Sequence, residues 1–259
     1  MVLKEEIITK AIVERFSEKF VNNLNQDVII AGAGPAGLTL AYYLAKKGIK
    51  VSVFEKKLSV GGGMWGGGML FNEIVVQEDG KAILEEFGIK TVKYDADYYT
   101  ADSIEAISTI CSLATKAGVK IFNCMMVEDV MVKKDEVCGV VVNWTPVEMA
   151  GLHVDPLSVK SKIIVDATGH PLELLKIIER KAQGKLFTKT GKIMGEKSMN
   201  AEIGEKTVVE NSKEIYKNVY VVGMAANAAF GACRMGPVFG GMLLSGKKLA
   251  EIITNRLSA

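Results

Sequence analysis

The chain contains only two histidines, and each sits in a stretch suited to chemistry. His153 lies in GLHVDP, two positions before Asp155, and His170 closes VDATGH. Residues two apart in extended chain project from one face, and Pro156 favours extended geometry at Asp155. Two imidazoles and a carboxylate form a donor set for non-haem iron(II). The same residues have an ordinary reading, with Asp155 capping a turn and the histidines structural. Arg234, in FGACRMGPVFGG, stands among glycines and apolar residues. A guanidinium buried there needs an anion, either a substrate carboxylate held in its fork or a structural salt-bridge partner. Its neighbour Cys233 reads as a packed thiol, with reactivity beside a cation as the alternative.

A second constellation is built from glycines. Gly32, Gly34 and Gly37 make GxGxxG between an apolar strand and a helix, and Glu55 closes the next strand eighteen positions after Gly37. That context makes the motif a dinucleotide fingerprint rather than a chance match. Gly32 permits the tight turn, Gly34 lets a pyrophosphate approach the backbone, and Gly37 lets helix and strand pack closely. The helix N-terminus offers free N–H groups to the phosphates. Glu55 can accept from both ribose hydroxyls and would repel a 2′-phosphate, which points to NAD or FAD rather than NADP. The strand-closing ATG at 167–169 and the C-terminal VYVVGMAA resemble the two-dinucleotide-binding flavoprotein superfamily. Those flavoenzymes typically carry Asp after the final Gly, whereas Gly223 here is followed by Met224, so the ADP half is kept and flavin is in doubt.

The elements that must position these residues follow from periodicity. Residues 27–57 read as strand, helix and strand. Residues 4–22 carry an apolar stripe (Ile7, Ile8, Ala11, Ile12, Phe16, Phe20) at helical spacing, packed on the same chain or on another subunit. Between glycines, Met64, Trp65, Met69 and Leu70 in SVGGGMWGGGMLF suggest a loop closing over a ligand. Helices are expected over 81–88, 101–117 and 172–183, strands over 119–147 with a turn at KKDE, and a strand running into Gly169. A last strand, a long glycine-rich connection and a helix from about Gly240 end the chain, while 184–214 gives no clear signal. No repeat or linker divides the sequence. The expectation is one α/β dinucleotide-binding domain over residues 1–259, a Rossmann-like parallel sheet of the flavoprotein type with a β-rich insertion, an N-terminal helix and active-site insertions.

Composition sets limits. With 32 Lys and Arg against 30 Asp and Glu, the net charge of +2 gives no reason to expect nucleic acid. No apolar run is long enough to span a bilayer, and the charged N-terminus does not look like a signal peptide. A cytoplasmic protein without a membrane partner is expected. The four cysteines have no CxxC spacing, which supports neither disulfides nor zinc.

Together, GAGPAG, GGGMWGGGMLF, VVNWTPV followed by HVDP, ATGH and GMAANAAFGACRMGPVFGGMLLSG resemble the thiamine thiazole synthase family, over about residues 10 to 255. The resemblance implies that NAD is a substrate. It loses nicotinamide, its ADP-ribose opens and isomerises to a ketone, and glycine condenses as an imine. Addition of sulfur and dehydrating cyclisation then give an ADP-linked thiazole carboxylate for thiamine biosynthesis, with iron(II) assisting sulfur transfer. By position, the implied NAD contacts are Ala36, Glu55, Lys56, Gly63, Val127 and Met224, and the implied iron ligands are Asp155 and His170. The loop of His153, Val154 and Asp155 is expected to reach a neighbour's nucleotide in a homo-oligomer, an octamer in the family, and Arg234 to grip the glycine carboxylate. Where eukaryotic-type members have a sulfur-donating cysteine, this chain has His153, which has no sulfur to give. It therefore resembles the archaeal type, which takes free sulfide and turns over repeatedly, with His153 orienting sulfide or shuttling a proton. The rival readings are an FAD-dependent oxidoreductase, a non-catalytic nucleotide-binding protein, and an isomerase of a phosphorylated sugar such as a ribose phosphate.

Overall fold

The structure, a computed structural model, describes residues 2–182 and 184–258. Helix α1 (Glu5–Val21) opens it. Only its C-terminal end packs on its own chain, where Phe16 and Phe20 meet Phe122 edge-on. Ile7, Ile8 and Ile12 stay exposed, so most of the expected stripe is open within the single chain.

Next comes the expected β-α-β unit: β1 (Asn25–Ala31), α2 (Pro35–Lys46) and β2 (Val51–Glu55). The strands pair in parallel, Val28 opposite Val51 through Ala31 opposite Phe54. Continuous apolar runs are what a parallel strand covered on both faces requires. Ile29, Ile30 and Val53 are fully buried, each contributing about 1.5–3 kcal/mol by burial.

In the following stretch the helix expected over 81–88 is present as α3 (Glu78–Glu86), and sequence periodicity misses the strands around it. β3 (Glu73–Val76), β4 (Val92–Asp95) and β5 (Tyr98–Asp102) build a separate three-stranded antiparallel sheet, β3-β5-β4, with α3 between β3 and β4 in sequence. Its strands are four or five residues long and β4 is exposed throughout. They exist because Ile74 meets Ala101 and Val76 meets Tyr99 across the fold, which no local window reveals. Helix α4 (Ser103–Lys116) starts where the Asp102 carboxylate accepts from the Glu105 amide at 2.7 Å, an N-cap.

The strands expected over 119–147 are β6 (Lys120–Asn123), β7 (Met125–Lys133) and β8 (Glu136–Trp144), with the turn at Lys134 and Asp135, but residues 145–147 are not strand: Pro146 sits in the first turn of a short helix, α5 (Thr145–Met149). β9 (Leu157–Asp166) stops three residues before Gly169. α6 (Glu173–Lys181) covers most of the helix expected at 172–183, whose residue 183 lies outside the described residues. The unassigned region holds α7 (Ala201–Asn211) and β10 (Glu214–Tyr216). β11 (Val219–Val221) follows, and the glycine-rich connection contains a helix that was not expected, α8 (Met224–Phe230), before α9 (Gly240–Ser258).

The main sheet runs β10-β11-β9-β1-β2-β6. β11, β9, β1, β2 and β6 are parallel, and β10 is antiparallel at the edge. The β7–β8 hairpin joins through β8, antiparallel to the first half of β9, from Val142 opposite Leu157 to Gly139 opposite Lys160. This is the expected parallel α/β sheet with a β-rich insertion. β9 is its hinge strand, with the hairpin beside its start and β11 beside its end. No helix among the described residues is long and apolar enough to cross a membrane.

Candidate functional site

A cavity of about 460 Å3 opens at the C-terminal ends of the parallel strands, where α/β sheets bind ligands. Each glycine of the fingerprint meets a different constraint. Gly32 has φ +101°, and a Cβ there would lie 2.5 Å from the Ala167 carbonyl oxygen. At Gly37 a Cβ would lie 2.5 Å from the Gly32 carbonyl, so α2 could not sit down on β1. At Gly34 nothing lies within 4 Å of a Cβ, because that face looks into the cavity. Pro35 opens α2, leaving the next amides at the helix start free for an anion.

Glu55 is buried at the end of β2. Its carboxylate accepts from Ala33 N (2.8 Å) and Lys57 N (2.9 Å). These bonds fix its position, and each oxygen keeps a lone pair for a ribose hydroxyl. Lys56, also on the cavity wall, pairs with Glu173 of α6. The second glycine-rich loop is tied onto the first, since Gly61 N donates to Ala33 O at 2.7 Å. It brings Gly63 and the buried Met64 to the wall. Trp65 instead donates to Val60 O at 2.5 Å, and Met69 and Leu70 stay exposed, so within one chain these three do not close over the cavity. Val127 of β7 and Met224 of α8 also line the cavity, and Ala36 lies opposite Gly223, where a Cβ would come within 2.7 Å of the alanine methyl.

His170 is held by the turn after β9. Asp166 is wholly buried, and burial pushes its carboxyl up while hydrogen bonds pull the other way. Its oxygens accept from Thr168 N (2.9 Å), Thr168 Oγ1 (2.7 Å) and Leu175 N (2.9 Å). The Thr168 hydroxyl in turn accepts from Glu173 N at 2.9 Å. The turn is thus locked between strand and helix, and His170 projects from it at the cavity wall. Its Nδ1 lies 2.6 Å from Glu196 Oε1.

Arg234 also lines the cavity, but its side chain is exposed in the single chain rather than buried as the sequence suggested. It forms no ion pair among the described residues of the single chain. Residues 194–200 run alongside its loop. Met194 N donates to Ala229 O (3.1 Å), Lys197 N to Ala232 O (2.9 Å), Arg234 N to Lys197 O (3.3 Å) and Asn200 N to Arg234 O (3.0 Å).

His153, Val154 and Asp155 are elsewhere. They lie in an exposed, irregular loop between α5 and β9, anchored by Asn143 Nδ2 donating to Val154 O at 3.1 Å. The ten residues of β9 separate this loop from His170, and at about 3.3 Å per residue the strand spans on the order of 30 Å. Among the described residues, no three His, Cys, Asp or Glu side chains gather to hold a metal within one chain. The Asp155 carboxylate makes no hydrogen bond or ion pair among the described residues. The donors His170 and Asp155 suit a first-row transition metal by type, and they can meet only if two chains supply them. Sequence reasoning did not single out Glu173, Glu196, Phe239 or Met242, whose place here depends on pairings far apart in the chain.

The chain is similar to known proteins over nearly its whole length. A model of the Thi4 family matches residues 9–239. A thiamine thiazole synthase of Methanothermobacter thermautotrophicus is 55% identical over 257 residues, covering 99% of this chain and 100% of its own length. One from Pyrococcus furiosus is 54% identical over 255 residues, covering 98% and 99%. The crystal structure of Thermovibrio ammonificans THI4 has a TM-score of 0.98 at 52% identity and covers 100% of each chain.

Proposed function

The chain belongs to the Thi4 family, and from that premise we propose that it is a sulfide-dependent thiamine thiazole synthase. It converts NAD, glycine and free sulfide, with iron(II), into an ADP-linked thiazole carboxylate over repeated turnovers. The observation that carries this reading is one continuous cavity joining Gly34 and Glu55 to His170 and Arg234. A dinucleotide gripped at its ADP end would thus present its other ribose to imidazole and guanidinium groups.

The chain's own residues have distinct tasks in this reading. Gly34 and the start of α2 hold the pyrophosphate. Glu55 holds the adenosine ribose, and Lys56, Gly63, Val127 and Met224 wall the nucleotide. Arg234 pairs with no carboxylate among the described residues of its own chain, and it holds the carboxylate of glycine in a two-point fork, keeping the amine near the opened sugar. His170 and Asp155 of a neighbouring chain would hold the metal, in keeping with donors that are separated within one chain. Iron(II), when bound, supplies a thiophilic Lewis acid at which sulfide and the imine carbon can be brought together. His153, on the same loop as Asp155, orients sulfide or moves a proton. A histidine at this position offers no sulfur, so the sulfur must come from solution.

Anaerobic incubation with Fe(II), NAD, glycine and sulfide, read by mass spectrometry, tests the proposal. The adduct should require all four components. Turnover of the sugar without glycine or sulfide would favour the isomerase, and stoichiometric yellow flavin in the purified protein would favour an oxidoreductase.

A further inference from the structure

We propose that Glu196 is a positioning residue that fixes the tautomer and direction of His170, leaving Nε2 as its ligand nitrogen. The contact is Nδ1 to Glu196 Oε1 at 2.6 Å. A carboxylate only accepts, so Nδ1 carries the proton and donates, and the lone pair of the neutral ring is on Nε2. A carboxylate behind a histidine also raises the basicity of the outward nitrogen. The inference deepens the proposed function and rests on His170 being a metal ligand for its purpose, although not for its geometry.

Glu196 is itself held. Its side chain is the less exposed of the pair, 21% against 43% for His170. It rides on the strap of residues 194–200, which makes four backbone hydrogen bonds to the loop of residues 229–234. The turn that leads into His170 is held independently by the bonds between Thr168 and Asp166. The ring is therefore pinned from two sides, by its own turn and by an element 26 residues away in sequence. The same strap bonds the backbone of Arg234 on both its N–H and its carbonyl, so one segment carries the partner of the imidazole and fixes the backbone from which the guanidinium projects. A chance surface ion pair would need neither a strapped carboxylate nor a shared frame.

The test uses full-length, assembled protein labelled with 15N-histidine and solid-state 15N NMR at a pH where imidazole is neutral. With two histidines in the chain, His153 serves as the internal control. Wild-type His170 should be the Nδ1–H tautomer. Glu196→Ala should move it toward Nε2–H and leave His153 unchanged, whereas Glu196→Gln, which keeps an acceptor, should preserve it. Anaerobic Co(II) titration, followed by visible absorption, should show affinity falling about 10- to 100-fold in Glu196→Ala. If Glu196→Ala does not fold, Glu196→Asp, which draws the carboxylate back from the ring, gives the same readings. A wild-type Nε2–H tautomer, or one insensitive to Glu196, overturns the proposal, as does a tautomer shift with unchanged Co(II) affinity. If wild type shows the tautomer dependence but binds no Co(II), the metal reading falls while the hold of Glu196 on the ring stands.

Discussion

Asp155 and His170 lie beyond opposite ends of the same strand, β9, with its ten residues between them. A strand of that length is roughly 30 Å long. Any centre that uses both must draw them from different molecules.

This arrangement predicts complementation. Asp155→Ala and His170→Ala should each abolish adduct formation as pure proteins. Co-assembled in equal amounts, they should regain about a quarter of wild-type activity, the share of sites that by chance join an intact aspartate to an intact histidine. Activity of the randomly mixed pool, measured without selecting for mixed oligomers, checks this. No recovery would mean that the two residues do not cooperate across chains.

The glycines of the fingerprint should separate binding from folding. Gly34→Ala places a methyl in open cavity, so its melting temperature should match wild type. Its affinity for NAD should fall at least about tenfold, or about 1.4 kcal/mol, as the pyrophosphate is pushed off the amides. Gly37→Ala drives a methyl into the Gly32 carbonyl and should lower the melting temperature or prevent folding. Calorimetry and thermal melts on the two variants distinguish the roles.

His153→Cys probes the sulfur source. Introducing a thiol should lower sulfide-driven turnover, because the imidazole is lost. Without added sulfide no product should form, since the rest of the loop is unchanged. Intact-protein mass spectrometry would show whether residue 153 loses sulfur during an incubation, and a loss coupled to product would contradict the expectation.

A buried carboxyl on α7 gives a pH dependence. Glu205 Oε1 accepts from Gly241 N at 2.6 Å at the start of α9, while Oε2 is buried with no hydrogen-bond partner among the described residues. Burial pushes this carboxyl above its ordinary value of 4.5, with the Gly241 bond opposing. A raised acid binds its proton more tightly in the folded chain. Its contribution to stability is therefore complete below 4.5 and is lost as pH rises through the folded value. Relative to Glu205→Gln, wild type should melt higher at about pH 5 than at about pH 8. A difference in melting temperature that is flat with pH would refute this.

The β-α-β unit was legible because its signals are local: apolar runs, glycines at fixed offsets, and an acid at the end of β2. The cavity wall around Ala36, Glu55, Gly63 and Met224 follows from the same signals together with the family resemblance. The sheet of β3, β5 and β4 was not legible, because its short strands gain stability only from partners distant in sequence. α8 was hidden by the alanines and glycines around it, which carry no helical stripe when every face is covered. Arg234 was expected to be buried from its apolar neighbours, but the loop turns its side chain outward. Glu196 belongs to no motif, and its importance arises only when the strap lies beside the turn of His170.

The separation imposed by β9 also bears on kinetics. If each working centre needs donors from two molecules, a lone chain can bind nucleotide yet not complete the reaction. Specific activity would then collapse on dilution below the dissociation constant of the subunits and recover on concentration, with a steeper than proportional rise in velocity. Metabolic output would become a gauge of how much protein the cell has made.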